Sequence, residues 1–251
     1  MFILLVRHAQ PFWREEAKDP NNPELTELGI EQGKITGNYI NLLKSMDITF
    51  ETIWHSELTR SRQTAELISK ELDNNIRMSE HTWLNEVKLL DFKGMKEYAE
   101  RSEKSDFNAV ELDKWYEGFE SMENFVDHAN NLTPHFYQSL EDFGIKKSYQ
   151  QTRNGDEKVW EITTDKNLLI VGHGGTNSVL LSELLSFDFK PWNVVRLGID
   201  HASIAMLVGV SVGKEYIFRL QKLNDTHLLS CLLYTSPSPR DLSTSRMPSS
   251  A

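Results

Sequence analysis

The first ten residues constrain the fold most strongly, because a short apolar run ends there directly at two polar side chains. Phe2–Val6 is continuously apolar, and Arg7 and His8 follow before the chain turns near Pro11. A continuous apolar run of this length is typical of a strand buried on both faces of a parallel sheet. The end of this strand therefore places a cation and an imidazole at the carboxyl edge of the sheet, where open α/β sheets bind ligands.

An adjacent arginine and histidine suit chemistry at phosphorus. A guanidinium holds phosphate oxygens through paired hydrogen bonds, while a ring nitrogen of histidine acts as the nucleophile. The alternative is an ordinary strand end that carries two surface residues. Arg7 and His8 alone do not separate these two interpretations.

The rest of the chain alternates between strand-like and helical segments. The predicted strands are Phe2–Arg7, Thr52–His55, Leu168–Gly172, Ala202–Gly209 and Glu215–Gln221. The predicted helices are Thr26–Lys44, Leu58–Leu72, Ser121–Phe143 and Thr176–Leu185. This alternation predicts an α/β fold of three layers, α/β/α, with a largely parallel central sheet, and the last two strands are predicted to pair antiparallel.

The pattern predicts one domain, residues 1–230, and a segment of different character at its end. Between about Phe92 and Lys166 the alternation breaks, and Asn154-Gly155 there is a strong hairpin signal, so we expect an inserted cap at about residues 90–166. Residues 231–251 are rich in Ser, Thr and Pro, which predicts disorder. They also resemble a peptide translated from sequencing-adapter DNA, so we expect a non-native tail; a genuine flexible tail is the alternative.

Composition excludes several classes of function. The formal charge of −10 argues against a general nucleic-acid binder, whose binding face is basic. Cys231 is the only cysteine, so no intrachain disulfide is possible. We find no apolar stretch of membrane-spanning length and no secretory signal pattern. We therefore expect a cytoplasmic protein that has neither nucleic acid nor a membrane as partner; the oligomeric state is not predicted.

Three further motifs carry polar side chains that suit an anion site. Arg60 lies in the first turn of a predicted helix, where free N–H groups favour anions. His173 ends a predicted strand and is followed by Gly174-Gly175, whose small size lets backbone amides approach a ligand closely. Glu86 follows Leu84 in a turn-rich connection and is a candidate proton donor. Taken singly, a solvated arginine is the better explanation of Arg60 and a surface acid is the better explanation of Glu86. A tight strand-to-helix turn also explains Gly174-Gly175.

Taken together and in this order, the motifs resemble the histidine phosphatase superfamily, the phosphoglycerate-mutase-like proteins. The resemblance rests on Arg7-His8, Ser56–Ala65, Leu84–Glu86 and His173–Gly175, with weaker matches at Leu25–Gln32 and Asn224–Leu228. Two positions depart from the family pattern. Ala9 stands where the family usually has glycine, which the turn tolerates if its φ angle is negative, and Val87–Met95 matches the family poorly.

The resemblance implies a role for each site residue. His8 is the nucleophile that forms a phosphohistidine, and Glu86 is the proton donor and acceptor. His173, expected to be protonated, joins Arg7 and Arg60 in holding the phosphoryl oxygens. Four further residues are expected to line the pocket: Gln10, Ser56, Arg62 and Gly174. The remaining histidines are expected to be structural or at the surface: His55, His81, His128, His135 and His201.

The implied activity is hydrolysis of a phosphomonoester, a small phosphorylated metabolite, without a metal or other cofactor. A phosphoglycerate-type mutase is the main alternative, although the aromatic-basic stretch typical of glycolytic mutases is missing. A phosphohistidine protein phosphatase fits less well, because such enzymes are compact and this chain carries an insertion. A catalytically silent relative that binds phosphorylated ligands is the alternative outside enzymes.

Overall fold

The computed structural model describes residues 1–13, 17–72, 76–86, 122–187, 193 and 196–226, with the backbone alone at residues 122–125. The strands are β1 (Phe2–Arg7), β2 (Phe50–His55), β3 (Arg77–Glu80), β4 (Ile145–Thr152), β5 (Gly155–Ile162), β6 (Asn167–Gly172), β7 (Ile204–Val212) and β8 (Glu215–Asp225). The helices are α1 (Glu27–Leu42), α2 (Thr59–Glu71), α3 (Met122–Phe143) and α4 (Gly174–Leu184), with 3₁₀ turns at Leu43–Met46 and Thr82–Leu84.

The described strands form one eight-stranded sheet in the order β3-β2-β6-β1-β7-β8-β5-β4. The half from β3 to β1 is parallel, whereas the pairings from β1 through β7 to β4 are antiparallel. Arg7 aligns with Gly172, and Val171 aligns with His55. The strands β1, β6 and β2 therefore end side by side, so the residues that follow them meet at one edge.

Both faces of the sheet are covered, which explains the continuous apolar run in β1. Successive side chains of a strand point to opposite faces. Accordingly, Ile3 and Leu5 pack in a core with residues of α3 and α4, while Leu4 and Val6 pack in a second core with residues of α1 and α2. The predicted three-layer α/β/α fold is confirmed, with parallel strands at the centre of a mixed sheet, and the antiparallel part of the sheet is larger than the one pair expected.

The region predicted as a cap, residues 90–166, needs correction where the structure describes it. Helix α3 buries Phe136 and Leu140 in the main core, and the predicted hairpin is β4–β5, which extends the sheet through the pairing of Trp160 with Tyr216. Both contribute buried apolar side chains to the main core, so they belong to the central fold and do not form a separate cap. Residues 87–121 of the predicted cap, and the predicted tail 231–251, lie outside the described residues.

Strand β3 was not predicted from the sequence. Its four residues, Arg-Met-Ser-Glu, lie at the edge of the sheet and have no buried side chain, so they carry no apolar signal. No helix within the described ranges is both long and apolar enough to cross a membrane.

The start of α1 is packed directly against the turn that follows β1. Thr26 caps the helix by accepting a hydrogen bond from the Gly29 N–H at 2.9 Å. The backbone oxygen of Gln10 accepts from the Thr26 N–H at 3.0 Å. The backbone N–H of Gln10 donates to the Gln32 side chain at 2.9 Å. A Cβ atom added at Gly29 would lie 2.2 Å from the Gln10 oxygen. Only glycine therefore allows this approach.

We expect Gly29→Ala to lower the free energy of unfolding by about 1–3 kcal/mol, as overpacking of a closed contact does. The clash is with backbone, so the turn after His8 must move. Urea unfolding measures the loss. The matched control is Gly33→Ala, whose new Cβ would meet only the movable side chain of Leu67. Equal stability of the two variants would show that this contact does not constrain the turn.

Candidate active site

The ends of three neighbouring strands and the first turn of α2 bring the predicted residues together. His8 follows β1, Ser56 follows β2, and His173 follows β6. The ring centroids of His8 and His173 are 5.0 Å apart, and the Arg60 Nε–H donates to His8 Nε2 at 3.3 Å. The fold therefore places two imidazoles and a guanidinium together at the carboxyl edge of the parallel half of the sheet.

The hydrogen bonds of His8 leave one ring nitrogen suited to attack. Its Nδ1 lies 2.8 Å from the backbone oxygen of Ala9, and a carbonyl oxygen only accepts, so Nδ1 carries the hydrogen. Burial, followed by the nearby His173, lowers the pKa of His8 well below its usual value, and Arg60, His201 and Arg7 lower it further. The ring is therefore neutral, with its lone pair on Nε2.

Ala9 keeps the turn that glycine makes in related sequences. Its φ angle is not among the positive values found in the described residues, so a side chain is tolerated. Its methyl group is buried against Leu25 and Ala202, and its N–H donates to Thr64 Oγ1 at 3.0 Å. The departure at this position therefore leaves the geometry of His8 intact.

Two guanidinium groups supply unsatisfied N–H donors beside His8. Arg60 is 4% exposed, and its Nη1 is buried without a hydrogen-bond partner among the described residues. Arg7 is partly exposed and donates from Nη1 to the Ile199 oxygen at 2.7 Å, but its Nε is likewise buried and without a described partner. A buried cation that lacks its hydrogen bonds is costly, so the pair is suited to an anion that brings oxygen acceptors.

Burial lowers the pKa of both arginines but leaves them positively charged. Burial lowers the pKa of Arg60 to about 10, and Glu86 partly opposes this. The pKa of Arg7 is lowered for the same reason and opposed by Glu86 and Asp200. Both groups stay cationic at neutral pH. The Arg60 guanidinium lies over the indole of Trp13, with its Cζ 5.2 Å from the ring centroid, and this contact stabilises the charge.

His173 differs from the expectation in its charge. Its Nε2 lies 2.8 Å from Ser56 Oγ, and Ser56 Oγ donates to the Asn85 side chain, so His173 Nε2 is the donor in this pair. Burial, then Arg60 and Arg7, lowers the pKa of His173 well below its usual value. The resting ring is therefore neutral, and the protonated form expected from the sequence requires an anion in the pocket. Its Nδ1 is buried and has no partner among the described residues.

Glu86 is held by the N-terminus of α4, directly after His173. Its two carboxylate oxygens each lie 3.1 Å from a backbone N–H that donates to them, one from Gly175 and one from Thr176. A helix N-terminus stabilises a negative charge at this position. The carboxylate is close enough to raise the pKa of both Arg7 and Arg60. The structure thus brings Glu86 to the same pocket.

Of the four further residues predicted to line the pocket, two lie beside it and two do not. Ser56 contacts His173, and a Cβ at Gly174 would lie 3.5 Å from the Arg7 guanidinium carbon, so both border the pocket. The Gln10 side chain instead accepts from Thr26 Oγ1 at 2.8 Å and secures α1. Arg62 is exposed and stands two residues after Arg60, so the helical rotation of about 100° per residue directs it away from the pocket.

Two of the histidines expected to be structural or at the surface belong to the site. His201 has its ring centroid 5.3 Å from that of His8. His128, on α3, lies with Nε2 3.3 Å from Thr176 Oγ1, beside Glu86. The signal for His201 was its position just before a strand antiparallel to β1, since such a strand begins at the edge where β1 ends. Nothing in the sequence around His128 marks it.

Neutral, buried imidazoles make the stability of the fold depend on pH. The unfolded histidine pKa is about 6.5, and the folded values of His8 and His173 lie well below it. As the pH falls below about 6.5, the unfolded chain takes up protons that the folded chain does not. We expect the free energy of unfolding to fall by up to about 1.4 kcal/mol per pH unit for each such imidazole.

Urea unfolding between pH 7.5 and 5.5 measures this slope, above the range where most carboxylates titrate. His173→Gln should reduce the slope, whereas His135→Gln, at an exposed position on α3, should not. A flat profile over this range would contradict the assignment of neutral imidazoles. Among the described residues, no group of three or more His, Cys, Asp or Glu side chains is arranged to hold a metal ion.

Comparisons with known proteins show what the chain is similar to. The 2,3-bisphosphoglycerate-dependent phosphoglycerate mutase of Methylorubrum extorquens (strain PA1) is 28% identical over 145 residues, which are 55% of this chain and 66% of that protein. The chain thus spans just under two thirds of this relative. The mitochondrial serine/threonine-protein phosphatase Pgam5 of Drosophila grimshawi is 23% identical over 239 residues, 95% of this chain and 68% of that protein.

Among solved structures, the native mycobacterial glucosyl-3-phosphoglycerate phosphatase matches with a TM-score of 0.58 and 21% identity, covering 89% of this chain and 98% of that one. This likeness shows a shared fold. The sequence also matches the histidine phosphatase superfamily (branch 1) over residues 3–142, more than half of the chain. The protein therefore belongs to the histidine phosphatase superfamily.

Proposed function

We propose that the protein is a phosphomonoester hydrolase that acts on a small phosphorylated metabolite through a phosphohistidine on His8. The observation that carries this proposal is the convergence of buried, unsatisfied N–H groups of Arg7 and Arg60 beside His8, whose Nε2 accepts only from the Arg60 Nε–H among the described hydrogen bonds. A phosphoryl group supplies the oxygen acceptors that these donors lack. It also supplies the electrophile that a neutral imidazole attacks.

The first chemical step transfers the phosphoryl group to the protein. The Nε2 lone pair of His8 forms a bond to phosphorus as the ester P–O bond breaks, and the leaving alcohol takes a proton from Glu86. Arg7, Arg60 and His173 neutralise the charge that spreads over the three equatorial oxygens in the transition state. Before attack, the Arg60 Nε–H must leave His8 Nε2, and the incoming phosphoryl oxygen is a stronger acceptor for it.

The second step restores the protein. Water gives a proton to the Glu86 carboxylate and attacks phosphorus, the P–N bond breaks, and orthophosphate leaves. Glu86 thus gives a proton in the first step and regains one in the second. The protein's own cations do the work of a metal ion, so the proposed reaction requires none.

The choice of a hydrolase over a mutase rests on the sequence and on the neighbours in fold. A mutase must retain a bisphosphate intermediate, and the chain lacks the aromatic-basic stretch of glycolytic mutases. The glucosyl-3-phosphoglycerate phosphatase shares the fold and is named for a small phosphorylated substrate. The mutase relative and the protein phosphatase relative define the competing outcomes of the test.

We expect the purified protein to hydrolyse p-nitrophenyl phosphate equally well with and without EDTA. His8→Ala should lower the rate on the order of 10³-fold or more, because it removes the nucleophile. His135→Ala, at an exposed position on α3, is the matched control and should be unchanged. Loss of activity in EDTA would refute the metal-free mechanism, and activity retained in His8→Ala would refute the nucleophile.

The substrate class is tested by a screen of phosphorylated metabolites alongside a phosphopeptide. Faster turnover of one or a few metabolites supports the proposal. Preferred dephosphorylation of the peptide would favour a protein phosphatase. Isomerisation of 3-phosphoglycerate in the presence of its bisphosphate would establish a mutase instead.

Glu86→Gln tests the proton transfer. We expect hydrolysis of alkyl phosphates to fall about 10²–10⁴-fold, because alkoxide is a poor leaving group without a proton. Formation of the phosphoenzyme from p-nitrophenyl phosphate should change little, since p-nitrophenolate leaves unaided, and rapid-quench kinetics measures this burst. Glu66→Gln, exposed on α2, is the control. An equal loss for both kinds of leaving group would remove Glu86 from the acid role.

A further inference from the structure

The strand that carries the nucleophile has a histidine beside it on each side. β1 lies between β6 and β7 in the sheet. β6 is parallel to β1 and ends at Gly172, directly before His173. β7 is antiparallel to β1, so it begins at the same edge, and His201 stands three residues before its first residue, Ile204. The two rings therefore approach His8 from opposite sides of β1.

The loop that carries His201 is fastened to the end of β1 by backbone hydrogen bonds. The Ala202 N–H lies 3.1 Å from the Arg7 oxygen and 3.3 Å from the His8 oxygen, and it donates to both. The Arg7 N–H donates to the Ser203 oxygen at 3.3 Å, and the Arg7 side chain donates to the Ile199 oxygen at 2.7 Å. The position of His201 relative to the nucleophile is thus set by the main chain.

Ala202 adopts a backbone conformation that alanine rarely takes. Its φ angle is 59°, in the left-handed region, where a Cβ atom lies too close to the following carbonyl oxygen. Such conformations persist where the surrounding structure enforces them, and they occur at functional sites more often than elsewhere. Here the strained residue directly follows a histidine that touches the nucleophile.

The His201 ring is placed to meet an anion held by the two arginines. Its centroid lies 5.3 Å from that of His8, compared with 5.0 Å for His173. Whereas His173 is fully buried, His201 is partly exposed, so His201 is the more accessible of the two residues to solvent. After burial, Arg7 and then Arg60 lower the pKa of His201, which places both guanidinium charges near its ring.

We propose that His201 binds the phosphoryl group directly, donating a ring N–H to a non-bridging oxygen on the side of His8 opposite His173. A neutral imidazole always carries one N–H, so this contact needs no additional proton. The proposal rests on the proposed function for the identity of the anion. It assigns to His201 a contact with the part that substrate, phosphate product and vanadate share, and not with the leaving group.

Binding of inorganic phosphate and orthovanadate, measured by titration calorimetry in EDTA, tests this contact without turnover. His201→Phe keeps a ring packed against His8 and removes both nitrogens. We expect it to weaken both anions about tenfold, the effect of one hydrogen bond to a charged group. His201→Gln restores an N–H donor and should recover part of the affinity. His135→Gln is the control at an exposed position on α3.

Each result bears on the proposal. Unchanged anion affinity in His201→Phe overturns it, because packing alone then explains the ring. A raised KM for some esters with unchanged phosphate and vanadate affinity also overturns it, because His201 then contacts the leaving group. If His201→Phe lowers the melting temperature, His201→Gln and His201→Asn carry the comparison, and binding in both that is as weak as in His201→Phe counts against a donated N–H.

The same experiment separates this inference from the proposed function. If the wild-type protein binds both anions, and His201→Phe weakens them, the inference stands even when no ester is hydrolysed. If the wild-type protein hydrolyses esters while the variant binds both anions normally, the proposed function stands and the inference fails. If the wild-type protein binds neither anion, both fail.

Discussion

The structure depends on two guanidinium groups whose buried N–H atoms find no acceptor among the described residues. Burying such a group without an acceptor is unfavourable, so a fold that keeps it there is compensated by a ligand or by the surrounding packing. Hydrogen bonds to neighbouring residues offset part of this cost here. Arg7 is tied by one nitrogen to the loop before β7, while Arg60 reaches the nucleophile from the first turn of α2. The proposed anion site thus lies where the sheet meets helix α2.

Sequence patterns predicted the parts of the fold in which local preference and burial agree. β1 was predicted with its observed bounds, because its apolar run is buried on both faces and is cut off by Arg7 and His8. The helices were predicted to within a few residues for a similar reason. β3 was missed because an edge strand without buried side chains leaves no apolar period. The hairpin β4–β5 was identified, but a local turn signal does not say which sheet the hairpin joins.

The candidate site divides in the same way. The side chains that follow parallel strands, His8 and His173, were found because parallel strands end together. The charge of His173 was not predicted correctly, because its pKa depends on burial and on Arg60 and Arg7. Only the folded structure brings these two arginines near the ring. His201 shows that the first residues before an antiparallel neighbour belong to the same edge. His128 arrives from a helix distant in sequence, and no local pattern encodes that approach.

The hydrogen bond from Arg60 to His8 also governs which reagents the nucleophile meets. In the resting pocket, the Arg60 Nε–H occupies the Nε2 lone pair of His8, so the imidazole is shielded. An incoming group with negative oxygens draws the guanidinium to itself and frees the lone pair. A neutral electrophile has no charged oxygen to attract the Arg60 guanidinium, so the hydrogen bond to His8 stays in place. In the proposed mechanism, Arg60 therefore both binds the anion and makes His8 chemoselective, because the lone pair is exposed only to compounds that carry negative oxygens.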